Sequence, residues 1–225
     1  MECATACPAS AIIQWGKDYT VDELMKVIVA DRSLYQKSGG GVTLSGGEVM
    51  LQWEFACELL AACKKSYIGT CVESALHCKQ EVMEAVYEHT DIVITDIKSM
   101  DDQVHKLHTG VGNKLILENI ERTAELGKKL VIRIPVVPDF NDDEENIKAS
   151  GAFIRDVLKN RVIQVQLLPY RKLGTEKYDS LNRLYPLGSD YTPPDRAVWE
   201  ANILRLTDLL TDMGIPAVAG SNVKY

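Results

Sequence analysis

The residues with the clearest potential for chemistry end a glycine-rich segment, Ser38–Glu48, in which Gly46 and Gly47 precede the carboxylate of Glu48. Glycine has no side chain, so its backbone can approach a ligand closely and adopt angles that other residues avoid. A phosphate-binding loop would need a lysine and a hydroxyl residue after the second glycine of its motif. A carboxylate there would repel phosphate and suits an ammonium group. The alternative reading is a tight turn before a helix.

Charged and polar residues also follow the other predicted strands. They are Glu73 with Ser74, Asp96 with Lys98, Arg133, and Arg171. Each alone could be a solvated loop residue, but the carboxyl ends of parallel strands meet at one edge of a sheet, where ligands bind. The mixture of carboxylates and cations suits a zwitterionic ligand that carries an ammonium, a carboxylate and hydroxyl groups.

Strand and helix patterns alternate along most of the chain and would position these groups. Strands are predicted over 41–44, 68–72, 91–95, 129–134, 162–168 and 215–219, and helices over 20–37, 51–65, 80–89, 115–126, 141–158 and 192–213. His105 and His108 lie on a polar segment that suits a surface helix. The alternation predicts an α/β fold with a parallel sheet covered by helices, either an open doubly wound sheet or a partial α/β barrel.

Size and composition limit the classes of function. The 225 residues suit one domain, or one domain with a small appendage, and the net charge of −7 argues against nucleic-acid or anionic-membrane partners. No apolar run approaches the roughly 18 residues of a membrane span. The six cysteines do not resemble a secreted disulfide framework, so we expect reduced thiols and a cytoplasmic location.

The first residues contain a cysteine pair, Cys3 and Cys7, followed by Pro8. This spacing is the end of a bacterial ferredoxin motif that ligates iron–sulfur clusters. Two cysteines cannot hold a four-iron cluster, so the pair is either two ordinary thiols or the remainder of a cluster site. Cys3 and Cys7 are therefore the candidate metal ligands.

Several segments together resemble the activating enzymes of glycyl radical enzymes, the pyruvate formate-lyase-activating branch of the radical S-adenosylmethionine (SAM) superfamily. The resemblance rests on Ser38–Glu48, Asp96-Ile97-Lys98, His108–Asn113 with Ile116–Asn119, Ile132–Pro138 and Leu167–Tyr170. These segments occur in the family's order over nearly the whole chain.

The resemblance implies a partial (β/α)6 TIM-like barrel and a radical SAM oxidoreductase. In this family a four-iron cluster binds SAM, and one electron cleaves SAM to methionine and a 5′-deoxyadenosyl radical. The radical removes a hydrogen atom from a backbone glycine of the partner, a glycyl radical enzyme. Reduced flavodoxin or ferredoxin is the implied electron donor.

The resemblance also implies residue roles. Gly46, Gly47 and Glu48 would bind the ammonium end of SAM, and Asp96, Ile97 and Lys98 would contact the ligand. Glu73 and Ser74, with Asp96, would form a monovalent cation site, and Arg133 would be a further pocket residue. Arg171 stands where many members have a histidine against SAM.

One departure from the family pattern is large: the CxxxCxxC motif that ligates the catalytic cluster is absent from the 225 residues. We therefore expect an N-terminally truncated chain, in which 1–18 is a remnant of a ferredoxin-like insert and 19–225 holds barrel strands two to six and a C-terminal helix. We also expect that it cannot cleave SAM alone.

Two alternatives remain open at this point. The first is a non-catalytic module that binds SAM or the partner. The second is an unrelated α/β barrel lyase that uses Lys98 as a Schiff base. Asp96 opposes the second alternative, because a neighbouring carboxylate favours the protonated form of the lysine.

Overall fold

The computed structural model describes residues 2–9, 11–12, 16–188 and 190–221. Within these, six parallel strands form one sheet in chain order. The strands are β1 (Gly41–Leu44), β2 (Gly69–Glu73), β3 (Ile92–Asp96), β4 (Lys129–Val136), β5 (Gln164–Pro169) and β6 (Ala217–Ala219). The helices are α1 (Glu2–Ala6), α2 (Val21–Ala30), α3 (Arg32–Ser38), α4 (Trp53–Lys65), α5 (Gln80–Tyr87), α6 (Asp102–Thr109), α7 (Lys114–Glu125), α8 (Glu144–Ala152), α9 (Thr175–Ser180) and α10 (Arg196–Asp212).

The strand order decides between the two predicted architectures. A doubly wound sheet reverses its strand order at one point, whereas here each strand pairs with the next one in the chain. Because parallel crossovers are right-handed, a sequential order places the connecting helices on one face. The fold is therefore a partial α/β barrel, as expected. The described sheet has six strands, one more than "strands two to six" implies, and the additional strand is the short β6.

The hydrophobic core lies between the sheet and the helices. The fully buried members of this core include Leu60, Val72, Met83, Val93, Ile120, Ile132, Ile134, Val165, Leu167 and Leu206. Each such side chain stabilises the fold by about 1.5–3 kcal/mol relative to an exposed one. Alternate residues of the same strands face the opposite, concave side, and there they include the polar groups Glu73, Asp96, Arg133 and Gln166.

Local capping explains where the helices depart from prediction. The capping box of Thr20 and Glu23 is present, but the predicted helix 20–37 is two helices, since Asp31 ends α2 and precedes α3. The last helix begins at Arg196 rather than near Thr192. Asp195 caps it, because the Asp195 carboxylate accepts hydrogen bonds from the Ala197 and Val198 amides in the first turn of the helix. None of the described helices is long and apolar enough to cross a membrane.

Two helices differ from expectation. The surface helix expected around His105 is α6. Of its two histidines, His105 is buried and His108 is exposed. His105 Nδ1 lies 2.7 Å from the Val111 carbonyl, a contact within the turn after α6. The helix α9 lies in the segment after β5, where the sequence pattern predicts no helix.

Candidate ligand-binding site

A small cavity lies at the carboxyl ends of β1, β2 and β3. Its volume is about 170 Å³, and its lining comprises Ser45, Gly46, Gly47, Glu48, Glu73, Ser74, Ala75, Asp96 and Lys98. Gly46 has φ +125°, an angle that side-chain-bearing residues rarely adopt. A Cβ added to Gly46 or Gly47 would meet no atom within 4 Å, so this loop leaves open space beside its backbone.

Glu48 ties the glycine loop to the end of β2. Its Oε1 accepts hydrogen bonds from the Met50 amide at 3.0 Å and the Ser74 hydroxyl at 2.7 Å, and its Oε2 accepts one from the Ala75 amide at 3.0 Å. The carboxylate thus already has three protein donors. Glu48 supplies negative charge to the cavity, and the structure fixes the position of that charge.

Asp96 and Lys98 form an ion pair after β3. The Lys98 ammonium lies 2.7 Å from Asp96 Oδ2, and about a third of each side chain is exposed. Both groups line the cavity beside Gly47. The exposed remainder of each group can meet a ligand, which places an anionic and a cationic partner side by side.

Arg133 reaches the same region from β4. Its Nη1 donates to Glu73 Oε1 at 2.5 Å, and its Nε donates to Gln166 Oε1 at 3.2 Å. The pair is half-buried on the concave face of the sheet. The Glu73 carboxylate is paired with Arg133, and the Ser74 hydroxyl donates to Glu48. The monovalent cation site expected of Glu73 and Ser74 stays a prediction.

Two predicted site residues lie elsewhere. The side chain of Ile97 is in the hydrophobic core, only 2% exposed, and its amide donates to the Arg133 carbonyl at 2.8 Å. Arg171 is exposed and lines a separate cavity of about 310 Å³ between the end of β5 and α10, with Tyr170 and Trp199. Strand-end position alone could not show this, because the cavity is completed by residues of α10, which are distant in the sequence.

Buried asparagines hold the loops around the site, and the sequence reasoning gave them no role. Asn119 donates to the Leu76 and Cys78 carbonyls at 2.8 Å each, which fixes the loop after β2. Asn141 donates to the carbonyls of Lys98 at 2.6 Å and Pro135 at 2.7 Å, which joins the loops after β3 and β4. An asparagine within an apolar helical pattern, as in Ile116–Asn119, is the signal that could have identified such a residue.

The cysteines do not form a cluster site in the described part of the chain. Cys3 lies on α1 and Cys7 directly follows it, where Cys7 Sγ accepts a hydrogen bond from the Ala11 amide at 3.3 Å. No group of three or more histidine, cysteine, aspartate or glutamate residues is placed there to hold a metal. Burial and the charge of Glu48 raise the pKa of the Cys78 thiol to about 11, which disfavours the thiolate that binds iron.

Comparisons with known proteins agree with this geometry. The model of the radical SAM superfamily matches residues 5–149. The (2S)-3-sulfopropanediol dehydratase activating enzyme of Klebsiella oxytoca is 38% identical over 217 residues, which are 96% of this chain and 68% of the relative. The isethionate sulfite-lyase activating enzyme of Oleidesulfovibrio alaskensis is 43% identical over 84% of this chain and 60% of its own length. The chain thus spans about two thirds of these relatives.

A solved structure extends the likeness to the fold. A domain of a pyruvate-formate lyase-activating enzyme from Bacteroides vulgatus superposes with a TM-score of 0.66 at 31% identity. The match covers 81% of this chain and 99% of that domain. The sequence and fold comparisons therefore agree on one family.

Proposed function

Because this chain belongs to the activating enzymes of glycyl radical enzymes within the radical SAM superfamily, we propose that its strand-end cavity binds the amino-acid end of SAM. The observation that carries the proposal is the convergence of the Gly46-Gly47 backbone, the fixed carboxylate of Glu48 and the Asp96–Lys98 pair on one cavity. Together these groups offer partners for an ammonium and a carboxylate.

The size of the cavity limits what it holds. Pockets that enclose a drug-sized ligand measure about 300–1,000 Å³. A cavity of about 170 Å³ accommodates the methionine portion of SAM, and the adenosine then extends over the concave face of the sheet. Asp96 would meet the ammonium and Lys98 the carboxylate of the ligand, while the open space at Gly47 allows a close approach.

SAM binding can be tested by calorimetry with the chain as it stands. In Lys98→Met the dissociation constant for SAM should rise about tenfold or more, since a charge-assisted contact is worth about 1.5–3 kcal/mol. Lys148→Met is the matched control, because Lys148 also lies 2.7 Å from a carboxylate, that of Glu144, but on the solvent-exposed side of α8. Equal affinities in the two variants would refute the assignment.

The family's chemistry depends on a four-iron cluster that reduces SAM, and the described cysteines do not fit such a cluster. We therefore propose that this chain alone binds SAM without cleaving it, and that cleavage requires the CxxxCxxC motif. Anaerobic reconstitution with iron, sulfide, SAM and dithionite tests this. Production of 5′-deoxyadenosine by the 225-residue chain would refute the proposal.

The partner proposed for the complete activity is a glycyl radical enzyme, with reduced flavodoxin or ferredoxin as the electron donor. The two curated relatives are named for different partners, a dehydratase and a sulfite-lyase, so the proposal concerns the class of partner. The second candidate function, a non-catalytic binding module, is favoured by the cysteine placement. It predicts that SAM or a partner binds while reconstitution loads no iron.

A further inference from the structure

We infer that Gln166 is a positioning residue that holds the Arg133 guanidinium against Glu73 at the edge of the proposed SAM site. The inference rests on the proposed function for its consequence and on contacts of the described residues for its geometry. Gln166 hydrogen bonds to Arg133, which in turn pairs with Glu73 of the cavity lining.

The register of the sheet creates the arrangement. Arg133 on β4 pairs with Gln166 on β5 and with Asp96 on β3, so the three side chains lie in one row of the concave face. Glu73 lies on β2, two strands from Arg133. To reach Glu73, the arginine side chain must extend across β3, and a long flexible side chain loses conformational entropy when it is held extended.

Gln166 supplies the second anchor. Its Oε1 accepts from Arg133 Nε at 3.2 Å, while Arg133 Nη1 donates to Glu73 at 2.5 Å on the opposite side. The guanidinium is thus held at both ends. Gln166 is fully buried, and its Nε2 donates to Gln164 Oε1 at 2.8 Å, which orients the amide so that its oxygen faces Arg133.

The neutrality of Gln166 is the important chemical property. A neutral acceptor fixes Nε without competing for the positive charge, so the full charge of Arg133 remains available to Glu73. Glu73 lines the cavity and is neutralised by Arg133, as Asp96 is by Lys98. Of the three carboxylates among the described lining residues, this leaves Glu48, which accepts from Ser74, without a cationic partner. The site then presents one net negative charge to a ligand that carries an ammonium and a sulfonium.

The first test observes Arg133 directly in the full 225-residue chain. A nitrogen-15 NMR spectrum should show a protected Arg133 Nε–H signal, assigned by its loss in Arg133→Lys. Gln166→Met removes the acceptor and should abolish the protection, whereas Gln166→Glu keeps an acceptor oxygen and should preserve the signal. Urea unfolding of each variant verifies that the fold is intact. Persistence of the signal in Gln166→Met would overturn the inference.

Leu168→Met is the matched control, because Leu168 lies two residues from Gln166 on the same face of β5 and its hydrocarbon side chain forms no hydrogen bond. The Arg133 signal should survive in this variant. Its loss to the same extent as in Gln166→Met would show that general packing of the face holds Arg133, and would overturn the inference.

The second test measures SAM affinity by calorimetry. Gln166→Met should raise the dissociation constant about tenfold, because a Glu73 carboxylate released from Arg133 would compete for Lys98, the proposed partner of the ligand's carboxylate in the same cavity. An unchanged constant would overturn the functional part of the inference. If the wild-type chain binds no SAM, the proposed function fails, and the NMR experiment still decides whether Gln166 positions Arg133.

Discussion

At the scale of single residues, Glu48 has the clearest measurable role. Its two oxygens accept three hydrogen bonds that join the glycine loop to β2. In Glu48→Gln the side chain keeps one acceptor oxygen, and an amide NH2 group replaces the other. That NH2 group then faces a protein donor that it cannot accept from. Since an unsatisfied or opposed polar group costs about 1–3 kcal/mol, the free energy of unfolding in urea should fall by that amount.

Glu118→Gln provides the control for this substitution. Glu118 is half-exposed on α7 and lies 3.9 Å from Lys114, a distance at which a surface ion pair contributes little. The free energy of unfolding of Glu118→Gln should stay within about 0.5 kcal/mol of the wild-type value. A similar loss in both variants would mean that the carboxylate of Glu48 has no special structural role.

At the scale of elements, the pairing of β1 with β2 depends on a glycine. A Cβ on Gly41 would lie 2.0 Å from the Gly69 carbonyl oxygen, because the two residues are paired in register. Gly41→Ala must therefore separate the two strands locally. We expect a loss of about 1–3 kcal/mol or more in the free energy of unfolding.

Gly47→Ala separates stability from binding in the same loop region. An added Cβ there meets no atom within 4 Å, so stability should change by less than about 0.5 kcal/mol. The methyl group would, however, occupy space in the proposed SAM site and weaken binding about tenfold or more in calorimetry. Equal SAM affinity in Gly47→Ala and the wild type would contradict the close backbone approach.

The loop after β2 depends on α7 through Asn119. Asn119→Ala leaves the Leu76 and Cys78 carbonyls without their donor in a buried region, which should cost about 2–4 kcal/mol in urea unfolding. Asn202→Ala on α10 is the comparison, since the Asn202 side chain accepts hydrogen bonds from Arg205 near the surface. If both substitutions cost the same, the contacts of Asn119 are not what stabilises this loop.

The elements also show what the sequence could predict. Strand positions follow from apolar runs and their breakers, so each predicted strand lies within a few residues of an observed one. The convergence of Gly47, Glu73 and Asp96 follows from parallel strands alone. The direction of Arg171 and the roles of Asn119 and Gln166 depend on contacts between distant segments, which no local pattern contains.

At the scale of the whole molecule, buried thiols should govern part of the response to alkaline pH. Burial is the main cause that raises the pKa of Cys57, Cys63, Cys71 and Cys78, the last to about 11. An acid with a higher pKa in the folded state keeps its proton where the unfolded chain has released it. Its contribution to stability is complete below about pH 9 and is lost as the pH rises toward the folded value.

Unfolding in urea between pH 8 and 10.5, under reducing conditions, measures this loss. Lys128 works in the opposite direction, because burial lowers its pKa, so the thiol contribution must be isolated by substitution. Cys78→Ala should flatten the fall in unfolding free energy with pH, whatever its effect at pH 8. Cys3→Ala, which removes an exposed thiol, should leave the slope unchanged. Parallel curves for Cys78→Ala and the wild type would show that Cys78 ionises as readily in the folded chain as in the unfolded one.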